Sequence, residues 1–561
     1  MGDAKRGIES GTADVHLNIR QFLEHAARAH GDQTVVTDMA DGRHRYTYAE
    51  MYDRVIQGAH ALRDLGVETG DAVAIYGYST YRNVELLYAT AAIGATLLIV
   101  NVELPPDHQE FCLDHAASNA PFDYAFVDGD MLADIDANAP ASAGLEYVVT
   151  RETEAVGAVN ADPVGRYEDL LAEQPTSIDW PKIHQDTAAI MGFTSGTTGR
   201  PKAITHSHRA LWLHNQGYVG AAQLTPQETL LMVPPLFHWG WNMWGFAPVA
   251  GSKLVMPGPG YPDNLMDLLF EEDVTYSAGV ATLFRRVAEH AKERRAEDPD
   301  FSLSGLRVQF AGQTPPSDLL ADLEELGADT SQAYGYSESG GGPHYVINKQ
   351  GAFRDSELAM DDEERFEYVA KVAGYPVMGV DLKVLDVETG EELPWDGESP
   401  GETAMRAPWC VNSYWGMPDR TAENREGEFL RMGDFVSIDE QANVTVKDRV
   451  KDAIKSGGEW IPSPTVEGLI NRHEQIAESC VIAADHTEWG ERPIVVVELA
   501  ESVDPDDLDL DLESFLQPYV DSGEIQEWWI PDEVIVDDIP LTATGKFNKK
   551  VLRDHYGDVL L

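Results

Sequence analysis

Residues 194–203 read TSGTTGRPKA. The hydroxyls of Thr194, Ser195, Thr197 and Thr198 crowd with Gly196 and Gly199 ahead of two cations, Arg200 and Lys202. Glycines permit backbone angles that turn consecutive N–H groups toward one concave surface, and such nests attract anions. The hydroxyls add donors and the cations add charge. The chemistry this suits is the holding of phosphate oxygens. The common phosphate loop places lysine directly after its second glycine and then a hydroxyl; here Gly199 is followed by Arg200, Pro201, Lys202 and Ala203. A solvated Ser/Thr/Gly linker has the same composition, yet TAAIMGF before it and AITH after it read as apolar, strand-like runs. The spacing predicts a phosphate-holding loop of another type, set between two strands.

Other residues have chemistry to offer and plain structural alternatives. His206 and His208 could bind a metal, but no third ligand follows, and a role at a helix entry fits them better. His238, with Trp239, Trp241 and Trp244, follows PPLF; indoles most often pack a core, and here they could also cap a pocket. Asp434 in RMGDF is a carboxylate before a strand, where a turn residue is common. Glu338 is one of 96 acidic residues, and Lys546 stands in the cluster KFNKK; taken alone, each would be a solvated surface charge.

The elements that must carry these residues alternate. RYTYAEMYDRVIQGAHALRDLGVETGDAVAIYGY opens with a Thr cap at Thr47, continues at helical spacing and ends in a strand. NVELLYATAAIGA leads to TLLIVN, NLMDLLFEEDV to TYSAGV, and LLADLEELG to ADTSQAYGY. This rhythm predicts α/β architecture with largely parallel sheets. Short β-rich runs follow between about 370 and 447, and after DRVKDAIKSGGEW the pattern becomes a compact mix of strands and helices. The expected fold is therefore a large N-terminal domain, residues 1–448, of βαβ-type subdomains plus a small β-barrel-like part. A small, mobile α+β C-terminal domain, residues 449–561, completes it.

A chain of 561 residues is too long for one core and implies two to four folding units. With 96 acidic residues against 41 Lys and Arg, the net charge is −55, and it is dispersed. That argues against nucleic acid or an anionic membrane as partner, and it looks like a halophile's cytosolic protein, where salt screens self-repulsion. Cys112, Cys410 and Cys480 lie far apart without C-x-x-C spacing, which fits a reducing compartment. No cationic-then-apolar signal segment opens the sequence, and LLYATAAIGATLLIV reads as a buried helix running into a strand rather than a membrane span. The expectation is a soluble, cytoplasmic protein.

Eight motifs then fall in one order: TSGTTGRPKA, PPLFHWGWN, FAGQTPP, AYGYSESG, GETAMRAP, RMGDF, DRVKDAIKSGGEWI and TATGK. In these the chain resembles the adenylate-forming superfamily, close to the fatty acyl-CoA synthetases, from Thr47 to the C-terminal end. The resemblance implies a carboxylate attacking the α-phosphate of ATP to give acyl-AMP and pyrophosphate, and then a thiol, usually that of coenzyme A, displacing AMP. It implies that loop 194–202 grips the β- and γ-phosphates, and that Glu338 with Thr194 holds Mg²⁺. Gly312, Gln313 and Thr314 match the adenine-side loop, with Ala311 in place of a frequent Gly. Tyr334 would face the adenine and Gly335 would let the backbone approach, with Tyr336 beside them. Ser337, where Thr is more frequent, would meet the α-phosphate.

By the same resemblance Asp434 and Arg449 bind the ribose, Lys546 reaches the α-phosphate during adenylation, and Lys451 is the hinge about which the C-terminal domain swings. Gly457, Gly458 and Trp460 would line the pantetheine tunnel, and His238, Trp239, Trp241 and Trp244 would face the acyl chain. The substrate implied is a fatty acid of medium length or branched, and similar enzymes are frequently dimers. Two alternatives stand beside this one: an adenylating enzyme for a short-chain or aryl acid or with a non-CoA acceptor, and a catalytically silent nucleotide-binding protein. The 15 residues after Lys546 contain no carrier domain, and KSGGEW is typical of ligases that use CoA, which disfavours the other acceptors. Lys202, Glu338, Asp434, Arg449 and Lys546 are all present, which disfavours the silent protein.

Overall fold

In the computed structural model the described residues are 15–132, 145–153, 163–194, 200–238, 243–312, 315–340, 345–348, 359–500, 503, 510–540 and 547–561. They form four sheets. One has seven strands in the spatial order Gly165–Arg166, Glu146–Arg151, Phe122–Asp128, Ala72–Tyr76, Thr96–Ile99, Ala188–Thr194 and Lys202–Ser207. Its neighbours are parallel except for the last pair, which is an antiparallel hairpin. A second has eight, in the order Tyr345–Asn348, Asp329–Tyr334, Arg307–Ala311, Tyr276–Gly279, Thr229–Leu231, Lys253–Met256, Thr34–Met39 and Gly42–Thr47. It is parallel within and antiparallel at both edges. One apolar core runs between these sheets, joining Val73, Ile75 and Leu97 of the first to Leu230, Leu254 and Tyr276 of the second.

The helices form where the spacing predicts them. Thr47 accepts the Glu50 N–H at 3.2 Å while Glu50 Oε2 accepts the Thr47 N–H at 2.7 Å, a reciprocal cap that starts helix Tyr48–Asp64. Helix Tyr81–Ile93 is buried along its length apart from Arg82 and stops at Gly94, whose φ of 85° suits glycine. A Cβ at Gly94 would lie 2.9 Å from Thr69 Cγ2, so both conformation and space require glycine there. Strand Thr96–Ile99 follows at once, so the apolar run is a buried helix entering a strand. Among the described residues no helix is long and apolar enough to cross a membrane.

The β-rich region is a five-stranded antiparallel sheet of Asp381–Leu385, Gly401–Arg406, Phe429–Ile438, Arg425–Glu426 and Val444–Arg449. It is filled by Val384, Met405, Val436, Ile438 and Val444. The fourth sheet belongs to the small C-terminal part and joins Glu459–Ile461, Ile454–Ser456, Gly490–Leu499, Ile476–His486 and Val534–Val536. Its core takes in Val466 and Leu469 from helix Ser463–Ile470 and Leu516 from helix Leu512–Asp521. Helix Lys549–Tyr556 closes it, and its first residue is a half-buried cation. Lys549 Nζ donates to Ser463 Oγ at 2.6 Å and to the Val481 carbonyl at 3.0 Å, and it lies 2.7 Å from Glu467 Oε1. Burial works against that charge, but Glu467 and Asp448 outweigh it and hold the lysine above its ordinary pKa. One turn later Arg553 Nη1 meets Asp452 Oδ1 at 2.7 Å.

Candidate active site

Thr194 ends one strand of the hairpin and Lys202 begins the other, and the two are register partners. The loop they close therefore springs from one point on a sheet edge. Ser195, Gly196, Thr197, Thr198 and Gly199 lie outside the described residues, as do Trp239, Trp241, Gln313, Thr314 and Lys546. Strand residues alternate between faces, so Lys202, Ile204 and His206 share one. At its start, Lys202 Nζ donates to Asn424 Oδ1 at 3.0 Å and to the Tyr414 hydroxyl at 3.4 Å, and it sits 4.7 Å from the centre of the Tyr414 ring. Burial pushes the Lys202 pKa below the ordinary lysine value, with Glu338 opposing the shift.

Further along that strand, His206 Nε2 donates to the Ser337 carbonyl at 2.9 Å. Burial pushes the His206 pKa down to about 4, so the ring stays neutral. A helix-entry role is thus corrected for this histidine: it belongs to the strand, Ser207 caps the helix, and the helix itself begins at His208. His206 fixes the short turn Ser337–Ser339 that carries Glu338. The Tyr414 hydroxyl donates to Glu338 Oε1 at 3.0 Å, and the Val411 N–H donates to the Glu338 carbonyl at 2.7 Å. Cation, phenol and carboxylate stand in a row.

A second group lies at the other end of the same turn. Tyr334 closes strand Asp329–Tyr334, and its hydroxyl donates to Asp434 Oδ2 at 2.5 Å and bonds to the hydroxyl of Tyr336. Arg449 Nε lies 3.3 Å from Asp434 Oδ1. Gly335 is exposed between the two tyrosines, and Gly312, with φ of 85°, follows strand Arg307–Ala311. The carboxylate so held has the acceptor chemistry for a pair of hydroxyl donors.

Beyond Arg449 the chain turns tightly, with the Asp452 and Ala453 N–H groups donating to the Arg449 carbonyl at 2.8 and 2.7 Å. Lys451 Nζ stands 3.7 Å from Asp452 Oδ2. Gly457 and Gly458 both have positive φ; a Cβ on Gly457 would come within 2.8 Å of Trp489, whereas Gly458 has open space beside it. Trp460 lies 4.7 Å from the ring of Phe435, next to Asp434. His238 is half-buried in a turn, its N–H on the Pro235 carbonyl at 2.8 Å. Trp244 is 3 % exposed, deep in the main core.

The two residues expected to meet a divalent cation, Glu338 and Thr194, would offer it one half-buried carboxylate and one hydroxyl. Among the described residues no group of three or more His, Cys, Asp or Glu forms a cage. Mg²⁺ keeps several waters and takes one or two carboxylates together with phosphate oxygens. These residues fit a cation that arrives with a polyphosphate. Tyr414, Asn424 and His206 were not legible as site residues, because their partners are remote: Tyr414 is separated from Glu338 by 76 positions and from Lys202 by 212.

Two family models match the chain, one described as AMP-binding enzyme over residues 23–415 and one as AMP-binding enzyme C-terminal domain over residues 465–546. The chain is 34% identical over 566 residues to the long-chain-fatty-acid–CoA ligase of Thermus thermophilus, across 99% of this chain and 98% of that protein. It is 30% identical over 555 residues to the medium-chain-fatty-acid–CoA ligase of Ectopseudomonas oleovorans, across 97% of each. In fold it is similar to an anthranilate CoA ligase in complex with anthranoyl-AMP, with a TM-score of 0.80 at 21% identity, covering 98% of this chain and 99% of that one.

Proposed function

The chain belongs to the AMP-binding enzyme family, and from that premise we propose its function. It is an acid–thiol ligase, an AMP-forming acyl-CoA synthetase that uses ATP, Mg²⁺ and coenzyme A, and its acid is a fatty acid of medium length or branched. The observation that carries the reading is the meeting of Lys202 and Glu338 on one hydroxyl, beside the loop of hydroxyls and glycines. Lys202 and residues 194–199 bind the β- and γ-phosphates, where preorganised donors and cations stabilise the charge that builds on departing pyrophosphate. Glu338 and Thr194 would hold Mg²⁺, which would supply Lewis-acid charge to the phosphate oxygens.

Tyr334, Gly335 and Tyr336, with Gly312, Gln313 and Thr314, hold the adenine, and Ser337 meets the α-phosphate. Asp434 accepts from the ribose hydroxyls and Arg449 donates to the ribose. Lys546 draws negative charge on the α-phosphate and acyl oxygens while the carboxylate attacks. The domain boundary falls at 448/449, and Lys451 in the tight turn is the hinge that withdraws Lys546. Gly457, Gly458 and Trp460 then flank the pantetheine arm whose thiol displaces AMP. His238, Trp239, Trp241 and Trp244 bound the acyl site. A cytoplasmic location is supported by the three free cysteines.

A panel of carboxylic acids, scored for AMP and pyrophosphate release with CoA present, tests this reading. ADP and phosphate as products would overturn it, because attack at the α-phosphate demands AMP. Lys546→Ala is expected to slow adenylation by about 10²–10³-fold, the loss of one preorganised donor, and to spare thioester formation from supplied acyl-AMP. Lys451→Pro is expected to do the reverse, since proline fixes φ at the hinge.

A further inference from the structure

Tyr414 stands in no phosphate-binding motif, yet it touches both charges of the site. The residue is 3 % exposed. Its hydroxyl accepts from Lys202 Nζ at 3.4 Å and donates to Glu338 Oε1 at 3.0 Å. Lys202 and Glu338 make no direct ion pair with each other among the described residues; each bonds instead to the phenol.

The backbone holds the ring in that place from three sides. The Tyr414 N–H donates to Thr421 Oγ1 at 2.9 Å. Three residues before it, the Val411 N–H donates to the Glu338 carbonyl at 2.7 Å; one residue after it, the Trp415 N–H donates to the Ala203 carbonyl, adjacent to Lys202, at 2.9 Å. The segment is thus sewn to the backbone beside the lysine and to that of the glutamate itself, and the phenol is presented at a fixed point.

Opposite charges in a partly buried site attract more strongly than in water. Left alone, a lysine and a glutamate on one hydroxyl would close on each other, and each would then be occupied when a nucleotide arrived. We propose that Tyr414 is a positioning residue whose hydroxyl keeps Lys202 and Glu338 from pairing with each other, so that both stay open to the polyphosphate and its cation. This rests on the reading that Lys202 and Glu338 serve ATP.

The test is ATP binding by isothermal titration calorimetry, with Mg²⁺ and with EDTA, to the full-length protein and to Tyr414→Phe, Glu338→Gln and the double variant. Phenylalanine keeps the ring under the ammonium and removes only the hydroxyl. In the native background Tyr414→Phe is expected to weaken metal-free ATP binding about tenfold, roughly the strength of one hydrogen bond to a charged group. In the Glu338→Gln background, where the Glu338 carboxylate is no longer there to capture Lys202, the same change should cost less than about twofold, a coupling that only neighbouring residues show. In turnover, KM for ATP should rise while kcat at saturating ATP holds within about threefold, as expected when ground-state binding is what is lost. Equal losses in both backgrounds, or no loss in the native one, would overturn the proposal. Lys202→Met and Glu338→Gln alone test the underlying reading: if neither alters ATP binding or AMP formation, that reading fails irrespective of Tyr414. Should Tyr414→Phe not fold, Tyr414→Met removes the hydroxyl by another route and carries the same comparison.

Discussion

Asp434 and Arg449 face each other as register partners on adjacent antiparallel strands, with Arg449 Nε 3.3 Å from Asp434 Oδ1. The second carboxylate oxygen takes the Tyr334 hydroxyl at 2.5 Å. Both oxygens are therefore aimed by partners on the protein, which is how a site is prepared to receive hydroxyl donors. Asp434→Asn keeps the shape and removes the charge. It is expected to weaken ATP binding by about 10–10²-fold and to bring ATP and 2′-deoxyATP to within about twofold of each other, since a site built to bond a hydroxyl discriminates by that bond. Dissociation constants for both nucleotides check this. Undiminished discrimination would remove Asp434 from the ribose.

Trp244 lies in helix Met243–Ala250, its ring 5.8 Å from that of Tyr88 at an interplanar angle of 79°, and its carbonyl accepts the Tyr88 hydroxyl at 2.8 Å. A ring this deeply buried stabilises the fold whatever else it does. Trp244→Ala is expected to cost about 3–5 kcal/mol in urea unfolding, the range for large aromatic deletions in a core. A variant of native stability that prefers longer acids would show instead that the ring walls the acyl site.

A net charge of −55 repels itself, and salt screens that repulsion. The melting temperature and the rate of AMP release are expected to rise together with KCl toward molar concentration, where the Debye length is about 3 Å. Thermal unfolding across a KCl series measures the first and a coupled AMP assay the second. Full stability in dilute buffer would refute the halophile reading.

His208 supplies a pH dependence. Its Nδ1 accepts the Ile19 N–H at 3.4 Å, and burial, aided by the charge of Arg20, pushes its pKa from the usual 6.5 down to about 4. Between those values the unfolded chain binds a proton that the folded one refuses. The stability from this residue is therefore complete above pH 6.5 and lost as the pH falls toward 4. That loss amounts to about 3 kcal/mol in all. His208→Asn keeps an acceptor for Ile19 and abolishes this share. Urea midpoints at neutral pH and near the lower value should show the variant losing less than the native protein; equal losses would mean that the folded protein protonates His208.

Local rules made much of this fold legible. The cap at Thr47 and the stop at Gly94 depend on neighbours within one helical turn, and the buried helix between Tyr81 and Ile93 announced itself by composition. The loop after Thr194 was recognisable by its own glycines and hydroxyls, and the two strands framing it by their apolar runs. His206 and Tyr414 escaped for the opposite reason. Each acts on a residue that the chain brings near only after two sheets have formed, and neither histidine before a helix nor tyrosine in a turn is unusual by itself. What long-range packing decides, local pattern cannot announce.

The pairing of Lys549 with Glu467 also has a consequence for how the protein is made. Ribosomes deliver Glu467 and its sheet well before Lys549, and domains fold from the N-terminus onward as they emerge. Until residue 549 is synthesised, helix Ser463–Ile470 can dock only by burying a carboxylate without the ammonium that neutralises it, which costs several kcal/mol. The last sheet is therefore expected to be completed late, together with its final helix, so nascent chains that end before residue 549 should be cut by protease within the acidic segment that precedes it.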